Sequence, residues 1–279
     1  MAFVTLSHHT FFYVTAGQQV KPPLLLLHGF LGSHQDFESI LPALSQHFYC
    51  IVPDLPGHGQ TLTEAGGYDF CAIAQSLCTF LDVLGITQTH LLGYSMGGRL
   101  ALYMTCHFPH RFTRTVLESA SPGLQTADAR KQRQAKDEAI ARALETTPFP
   151  DFLTRWYNNS LFSSLKRHPK AYAAMLARRH NNNSPKELAA ALRGLSTGRQ
   201  PSLWNLLAHV NTPLLLITGA LDTKFVTINR EMLAASQSLK PTRTKQAQTV
   251  LNIVENCGHN IQLEAPDRYR WLVSSFLAQ

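Results

Sequence analysis

Gly93-Tyr94-Ser95-Met96-Gly97-Gly98-Arg99 is the stretch that decides how this chain folds. An apolar run at 89–92 leads into it, and the helical pattern Arg99-Leu100-Ala101-Leu102-Tyr103 leads out. The sequence therefore reads strand, sharp turn, helix, with a serine at the apex. That is the G-x-S-x-G form of a nucleophile elbow. Side chains at positions 93 and 97 would collide where strand and helix cross. Ser95 would be held in a strained backbone conformation with its hydroxyl directed into a site. The Met96 N–H, at the helix N-terminus, would face an oxyanion forming beside Ser95. Five residues alone carry little; the strand-to-helix setting gives them meaning.

On the N-terminal side, residues 3–6 and 10–15 read as two short strands joined by a polar turn. Leu24-Leu25-Leu26-Leu27 is the continuous apolar run of a parallel strand covered on both faces. It ends in His28-Gly29-Phe30-Leu31-Gly32-Ser33, where the Phe30 N–H is the candidate second oxyanion donor. An ordinary strand-to-loop turn would look the same. The pattern predicts a helix over 36–46, a strand over 49–52 and then the turn-rich Pro53-Asp54-Leu55-Pro56-Gly57-His58-Gly59. There Asp54 is read as bonding backbone amides to hold the loop. Residues 68–84 form an amphipathic helix ended by Gly85.

On the C-terminal side a strand over 114–118 follows the elbow helix, and the alternation then stops. Residues 123–208 read as helices broken by Pro148, Pro150, Pro169, Pro185 and Pro201, an inserted helical cap. The alternation resumes with a strand over 213–218 and ends with a strand over 249–254 and a helix over 267–278. The chain thus divides into a first core part, 1–122, the cap, 123–208, and a second core part, 209–279. The polar stretch 240–248 is read as a surface excursion.

Composition sets bounds on this reading. With 279 residues, 44% hydrophobic and 15% charged, the chain can bury the core of one large α/β domain. It holds no run of about 18 apolar residues, so no membrane insertion is expected. Met1-Ala2-Phe3-Val4-Thr5 lacks the basic and apolar regions of a signal peptide. The five cysteines are odd in number and form no C-x-x-C pair, which suits free thiols in a reducing cytoplasm. The histidines show no metal-ligand spacing, and neither a metal nor a cofactor is expected.

The net charge of +7 is unevenly placed. Residues 123–208 hold fourteen Lys and Arg against six Asp and Glu, and the remainder is slightly acidic. No basic tail or aromatic-rich strand motif accompanies the excess, so nucleic acid is not the expected partner. A basic lid over an anionic small molecule explains the asymmetry, with a solvated cationic face as the alternative.

A serine hydroxyl is a weak base and nucleophile unless an imidazole takes its proton, and the imidazole needs a carboxylate to orient it. His259 follows the last strand in Asn256-Cys257-Gly258-His259, a placement the other histidines lack. Asp222 follows an earlier strand in Gly219-Ala220-Leu221-Asp222. Ser95, Asp222, His259 is the chain order of the α/β-hydrolase fold. The expected architecture is therefore that fold: a mostly parallel twisted sheet flanked by helices, with an inserted helical cap. Glu118, at the end of the preceding strand, is the rival acid.

The elbow with its following arginine, Glu118-Ser119-Ala120-Ser121-Pro122-Gly123-Leu124, Asn181-Asn182-Asn183, Gly198-Arg199-Gln200-Pro201-Ser202-Leu203-Trp204 and residues 218–225 together resemble one family. It is the 2-succinyl-6-hydroxy-2,4-cyclohexadiene-1-carboxylate (SHCHC) synthases of menaquinone and phylloquinone biosynthesis. The resemblance runs from about residue 24 to the C-terminus. It implies a lyase that expels pyruvate from a substrate with three carboxylates, 2-succinyl-5-enolpyruvyl-6-hydroxy-3-cyclohexene-1-carboxylate. It further implies that Arg99, Arg133 and Arg179 bind carboxylates, as forked guanidinium donors suit. Tyr94, Gln125, Trp156 and Lys224 match residues lining the same pocket. Two other functions remain open on the residues alone: a serine hydrolase of esters or C–C bonds working through an acyl-Ser95 intermediate, and a ligand-binding module without turnover.

Overall fold

In the computed structural model, residues 1–64, 66–238 and 248–279 are described. Most of the polar stretch 240–248 lies outside them. The strands are β1 (Ala2–Thr5), β2 (His9–Ala16), β3 (Pro23–Leu27), β4 (Tyr49–Pro53), β5 (Leu62–Thr63), β6 (Thr89–Tyr94), β7 (Phe112–Glu118), β8 (Leu214–Gly219) and β9 (Thr249–Val254). They form one sheet in the order β1-β2-β4-β3-β6-β7-β8-β9, with β5 paired to β2. From β4 to β9 all neighbours are parallel, while β1, β2 and β5 pair antiparallel. The order reverses at β3, whose two neighbours are β4 and β6. Ligands in open α/β sheets bind where the order reverses, at the carboxyl ends of the strands.

The helices are α1 (Leu41–Leu44), α2 (Phe70–Val83), α3 (Met96–His107), α4 (Ala127–Thr146), α5 (Phe149–Tyr157), α6 (Pro169–Asn182), α7 (Pro185–Gly194), α8 (Thr223–Gln237), α9 (Ile261–Glu264) and α10 (Pro266–Leu277). The four leucines of β3 show how the sheet is covered. Leu25 and Leu27 join a core cluster with Ile73, Leu77, Leu100 and Met104 of α2 and α3. Leu24 and Leu26 join the opposite one, with Leu44 of α1 and Tyr269, Val273 and Phe276 of α10. A strand repeat of two residues thus splits one apolar run between two cores.

Local chemistry sets the helix ends. Asp69 caps α2 by accepting the Cys71 and Ala72 amides at 3.0 and 2.9 Å, and Gly85, at φ 71°, turns the chain after it. The helix expected over 36–46 is instead a 3-10 turn at His34–Phe37 followed by the short α1, with Pro42 in its first turn. Pro169 and Pro185 each open a helix, where the missing N–H costs nothing. α4 to α7 lie between β7 and β8 and build a third cluster, including Phe152, Leu153, Tyr157 and Met175. Leu31, from the loop after β3, is fully buried in that same cluster.

The crossing of β6 and α3 has no room for side chains at two glycines. A Cβ on Gly97 would lie 2.2 Å from the Leu27 carbonyl oxygen and 2.6 Å from that of His28. One on Gly93 would lie 2.5 Å from the Gly97 carbonyl oxygen. These neighbours are main chain and cannot rotate away. Gly97→Ala is expected to cost about 3 kcal/mol of stability. A thermal melt would register that as a fall in Tm of roughly 10 °C; a fall under about 2 °C would show that the crossing can open.

Candidate active site

Ser95 is the residue between β6 and α3, at φ 51° and ψ −105°. Its N–H donates to the Glu118 carbonyl of β7 at 2.8 Å, and the Gly97 N–H donates to the His28 carbonyl at 3.0 Å. A non-glycine residue at positive φ is strained and stays so only where its surroundings hold it. The turn presents Oγ to His259, whose Nε2 lies 3.0 Å away. His259 Nδ1 lies 2.6 Å from Asp222 Oδ2. Both His259 and Asp222 are buried. Asp222 is itself fixed, because its other oxygen accepts the Phe225 N–H at 3.3 Å and caps α8. With Nδ1–H donated to the carboxylate, Nε2 is left to accept the Ser95 hydroxyl proton. Glu118, the rival acid, points elsewhere: its Oε1 accepts the N–H groups of Ile261 and Gln262 at 2.7 and 3.2 Å.

Beside Ser95 opens a cavity of about 190 Å³. Met96, the first residue of α3, lines it, and its N–H has no acceptor within the helix. Phe30 lines it from the loop after β3, where Leu31 holds φ 66°. Its floor carries Arg99, one turn after Ser95, whose N–H donates to the Ser95 carbonyl at 3.0 Å. The Arg99 guanidinium donates to Gln200 Oε1 at 3.2 Å and to the Leu195 carbonyl at 2.7 Å. Both acceptors are neutral. Burial, and then nearby Arg133, push Arg99 down to about 9, with Asp137 opposing. Among the described residues no carboxylate bonds it, and a desolvated guanidinium so placed has donors suited to an anion.

Residues 22–266 match the α/β-hydrolase fold family. The 2-succinyl-6-hydroxy-2,4-cyclohexadiene-1-carboxylate synthase of Pectobacterium atrosepticum is 33% identical over 262 residues, covering 93% of this chain and 95% of that one. The chain belongs to this synthase family. MenH from S. aureus superposes with a TM-score of 0.85 at 28% identity, over 98% of both chains. Protein PHYLLO of Arabidopsis thaliana is also 33% identical over 91% of this chain, but the match spans only 15% of that much longer protein.

The cavity of this SHCHC synthase family member is lined by most of the residues singled out in its sequence: Tyr94, Arg99, Arg133, Trp156, Arg179 and Lys224. Trp156 stacks on Phe152 and meets the Phe30 ring edge-on at 5.4 Å. Tyr94 is buried, with its ring 5.6 Å from that of His259. Burial pushes its hydroxyl well above the usual phenol range. Lys224 is pushed below its ordinary value by burial and then by Arg133.

The two other arginines differ from Arg99 in having carboxylate partners among the described residues. Arg133 donates through Nε to Asp137 Oδ1 at 2.8 Å. Arg179, on α6, is buried in a bidentate pair with Asp36, and its Nε donates to the Tyr157 hydroxyl at 3.2 Å. Burial lowers Arg179, but Asp36 more than offsets it and the guanidinium stays charged. A ligand carboxylate reaching Arg179 would share it with Asp36. Asp36→Asn is expected to free one guanidinium edge and leave a buried charge short of its partner. The expected loss is about 3 kcal/mol of stability, read in a urea titration; an unchanged midpoint would mean that the pair contributes nothing.

Gln125 is not brought to the cavity. Its side chain is exposed just before α4, and Arg130 Nη1 donates to the main-chain oxygens of Leu124 and Gln125 at 3.0 and 3.1 Å. That bracing leaves Leu124 as the lining residue instead. Sequence reading missed Tyr157, Phe162 and Asn260 in the wall, and Gln200 and Asp36 behind it. Only Gln200 carried a signal, inside the motif 198–204. The others are ordinary core or turn residues until the long-range contacts are known.

The loops around the site are held by polar groups whose roles are settled by their partners. Asp54 accepts the N–H groups of His34 and Gln60 at 2.7 and 2.9 Å, bracing two turns at once. His28 accepts the Leu55 N–H at Nε2, and burial keeps its ring below the ordinary imidazole range. Among the described residues no helix is long and apolar enough to cross a membrane.

Proposed function

We propose that this protein makes SHCHC by eliminating pyruvate from 2-succinyl-5-enolpyruvyl-6-hydroxy-3-cyclohexene-1-carboxylate, a step of menaquinone or phylloquinone biosynthesis. The observation that carries this reading is Arg99. A plain esterase needs no guanidinium one turn beneath its serine, and among the described residues the group is bonded to neutral oxygens. Arg133, Lys224 and the Asp36-paired Arg179 add further positive charge around one cavity. A tricarboxylate suits that wall, and residues 123–208 act as the cap that supplies ten of its twenty-two residues.

In the proposed reaction, Ser95 Oγ removes a ring proton made acidic by conjugation with the succinyl carbonyl, while its own hydroxyl proton passes to His259 Nε2. Asp222 stabilises the imidazolium so formed. Negative charge moves onto the carbonyl oxygen, where the N–H groups of Met96 and Phe30 receive it. The ring C–O bond then breaks, its electron pair leaves with the enolate of pyruvate, and the proton held by His259 passes to that enolate to give pyruvate, Ser95 keeping the ring proton as its hydroxyl. No water is consumed and no bond to Ser95 forms.

The test is to supply the enzymatically generated substrate and follow pyruvate release against gain of ring conjugation, with p-nitrophenyl esters as a parallel substrate. Equal, rapid appearance of pyruvate and conjugated product, with negligible ester turnover, is the expected result. Pyruvate at the uncatalysed rate alongside brisk ester hydrolysis would instead make the protein a serine hydrolase with a basic cap. An ester between Ser95 and substrate, seen by intact mass during turnover, would overturn the role of Ser95 as base.

A further inference from the structure

Glu118 touches the main chain on both sides of the serine–histidine relay. Tyr94 of β6 pairs with Glu118 of β7 in register, and one residue further on the Ser95 N–H donates to the Glu118 carbonyl at 2.8 Å. The same residue's carboxyl oxygen Oε1 accepts the N–H groups of Ile261 and Gln262 at 2.7 and 3.2 Å. Those amides open α9, two and three residues after His259. On the other flank, Glu264 Oε2 accepts the Gly258 N–H at 3.0 Å. His259 is therefore suspended between two clamped stretches of backbone, and one clamp is carried by the residue that also holds Ser95.

We propose that Glu118 is a positioning residue that sets the separation of Ser95 and His259, acting through the two amides after the histidine loop rather than through its charge. Glu118 is fully buried. Burial pushes its carboxyl up to about 8, and what the clamp takes from it is an accepting oxygen within reach of both amides. The acid role in the relay is taken by Asp222, which contacts His259 directly. What Glu118 supplies is length: a side chain that reaches from the end of β7 to the start of α9.

The prediction separates length from charge. Glu118→Gln keeps the reach and an accepting oxygen but loses the ionisable group. Glu118→Asp keeps the acid and loses one methylene of reach. Glu118→Ala loses both. The readout is Ser95 labelling by a fluorophosphonate, which reports on the relay whatever the natural substrate is, so this test stands apart from the pyruvate assay. Glu118→Gln should label within about threefold of the wild type. Asp and Ala should lose about 100-fold in the maximal labelling rate, with half-saturation unchanged, as an ångström-scale misplacement produces. The His259 Nδ1 proton resonance should persist in Gln and broaden or shift in Asp. If Ala does not fold, the Gln and Asp pair decides the question. Gln as impaired as Asp, Asp more active than Gln, or losses that appear only in half-saturation would each overturn the proposal.

Discussion

Ser95→Ala is expected to reduce kcat for pyruvate release by at least about 10⁴-fold while leaving the fold intact. Removing the serine of such a relay costs as much as removing the relay, because its members act as a unit. The only hydrogen-bond partner described for Ser95 Oγ is His259 Nε2, so the deletion strands no buried donor on the cavity wall. Alanine at φ 51° is no more strained than serine. Tm should therefore change by less than about 3 °C, and binding of the substrate, measured by calorimetry with the inactive variant, should be nearly unaltered. A variant that retains more than a tenth of wild-type kcat would mean that His259 takes the ring proton directly and Ser95 is dispensable.

Arg99→Met is expected to give the second-largest loss, about 10³-fold in kcat/KM, with stability unchanged or raised. Truncating one member of a buried charge-assisted contact costs several kcal/mol in binding or transition-state energy. The unusual part of the prediction is the stability. Most buried arginines leave an uncompensated carboxylate behind when removed. Arg99 leaves only Gln200 Oε1 and the Leu195 carbonyl, and its removal ends the mutual repulsion with Arg133. Arg99→Lys should recover no more than about a tenth of the activity, because an ammonium cannot present two parallel donors. Pyruvate kinetics and a thermal melt on the same preparations check both halves. A variant that loses activity and more than about 3 kcal/mol of stability together would show Arg99 to be a structural tie.

How much of this can be read from sequence depends on how far apart the interacting residues lie. Ser95, Asp222 and His259 are legible because each ends an apolar strand, and parallel strands in one sheet deliver their carboxyl ends to one edge. Eight of the nine strands described follow from the same alternation, while the two-residue β5, held by its pairing with β2, carries no such signal. Chain order favours Asp222 over Glu118 as the acid, although both follow strands. In space Asp222 meets His259 while Glu118 faces the α9 amides. Gln125 fails for a related reason: a motif fixes its neighbourhood but not which way one side chain turns, and the Arg130 bonds to its main chain leave it in solvent. The pairing of Arg179 with Asp36 joins positions 143 residues apart. No local pattern marks it, and it changes Arg179 from an open cation into half of an ion pair.

The attachment of α6 has a consequence for how the protein melts. Beyond Arg179, the Asn183 side chain donates to the Leu31 carbonyl at 3.0 Å and accepts the Gly59 N–H at 3.2 Å. Leu31 in turn lies in the apolar cluster of α4 to α7. The helical layer and the loop that carries Phe30 thus share buried groups, so neither can unravel without exposing the other. Calorimetry should record a single cooperative peak with no earlier shoulder, and the loop amides should exchange with solvent no faster than the helices laid over them.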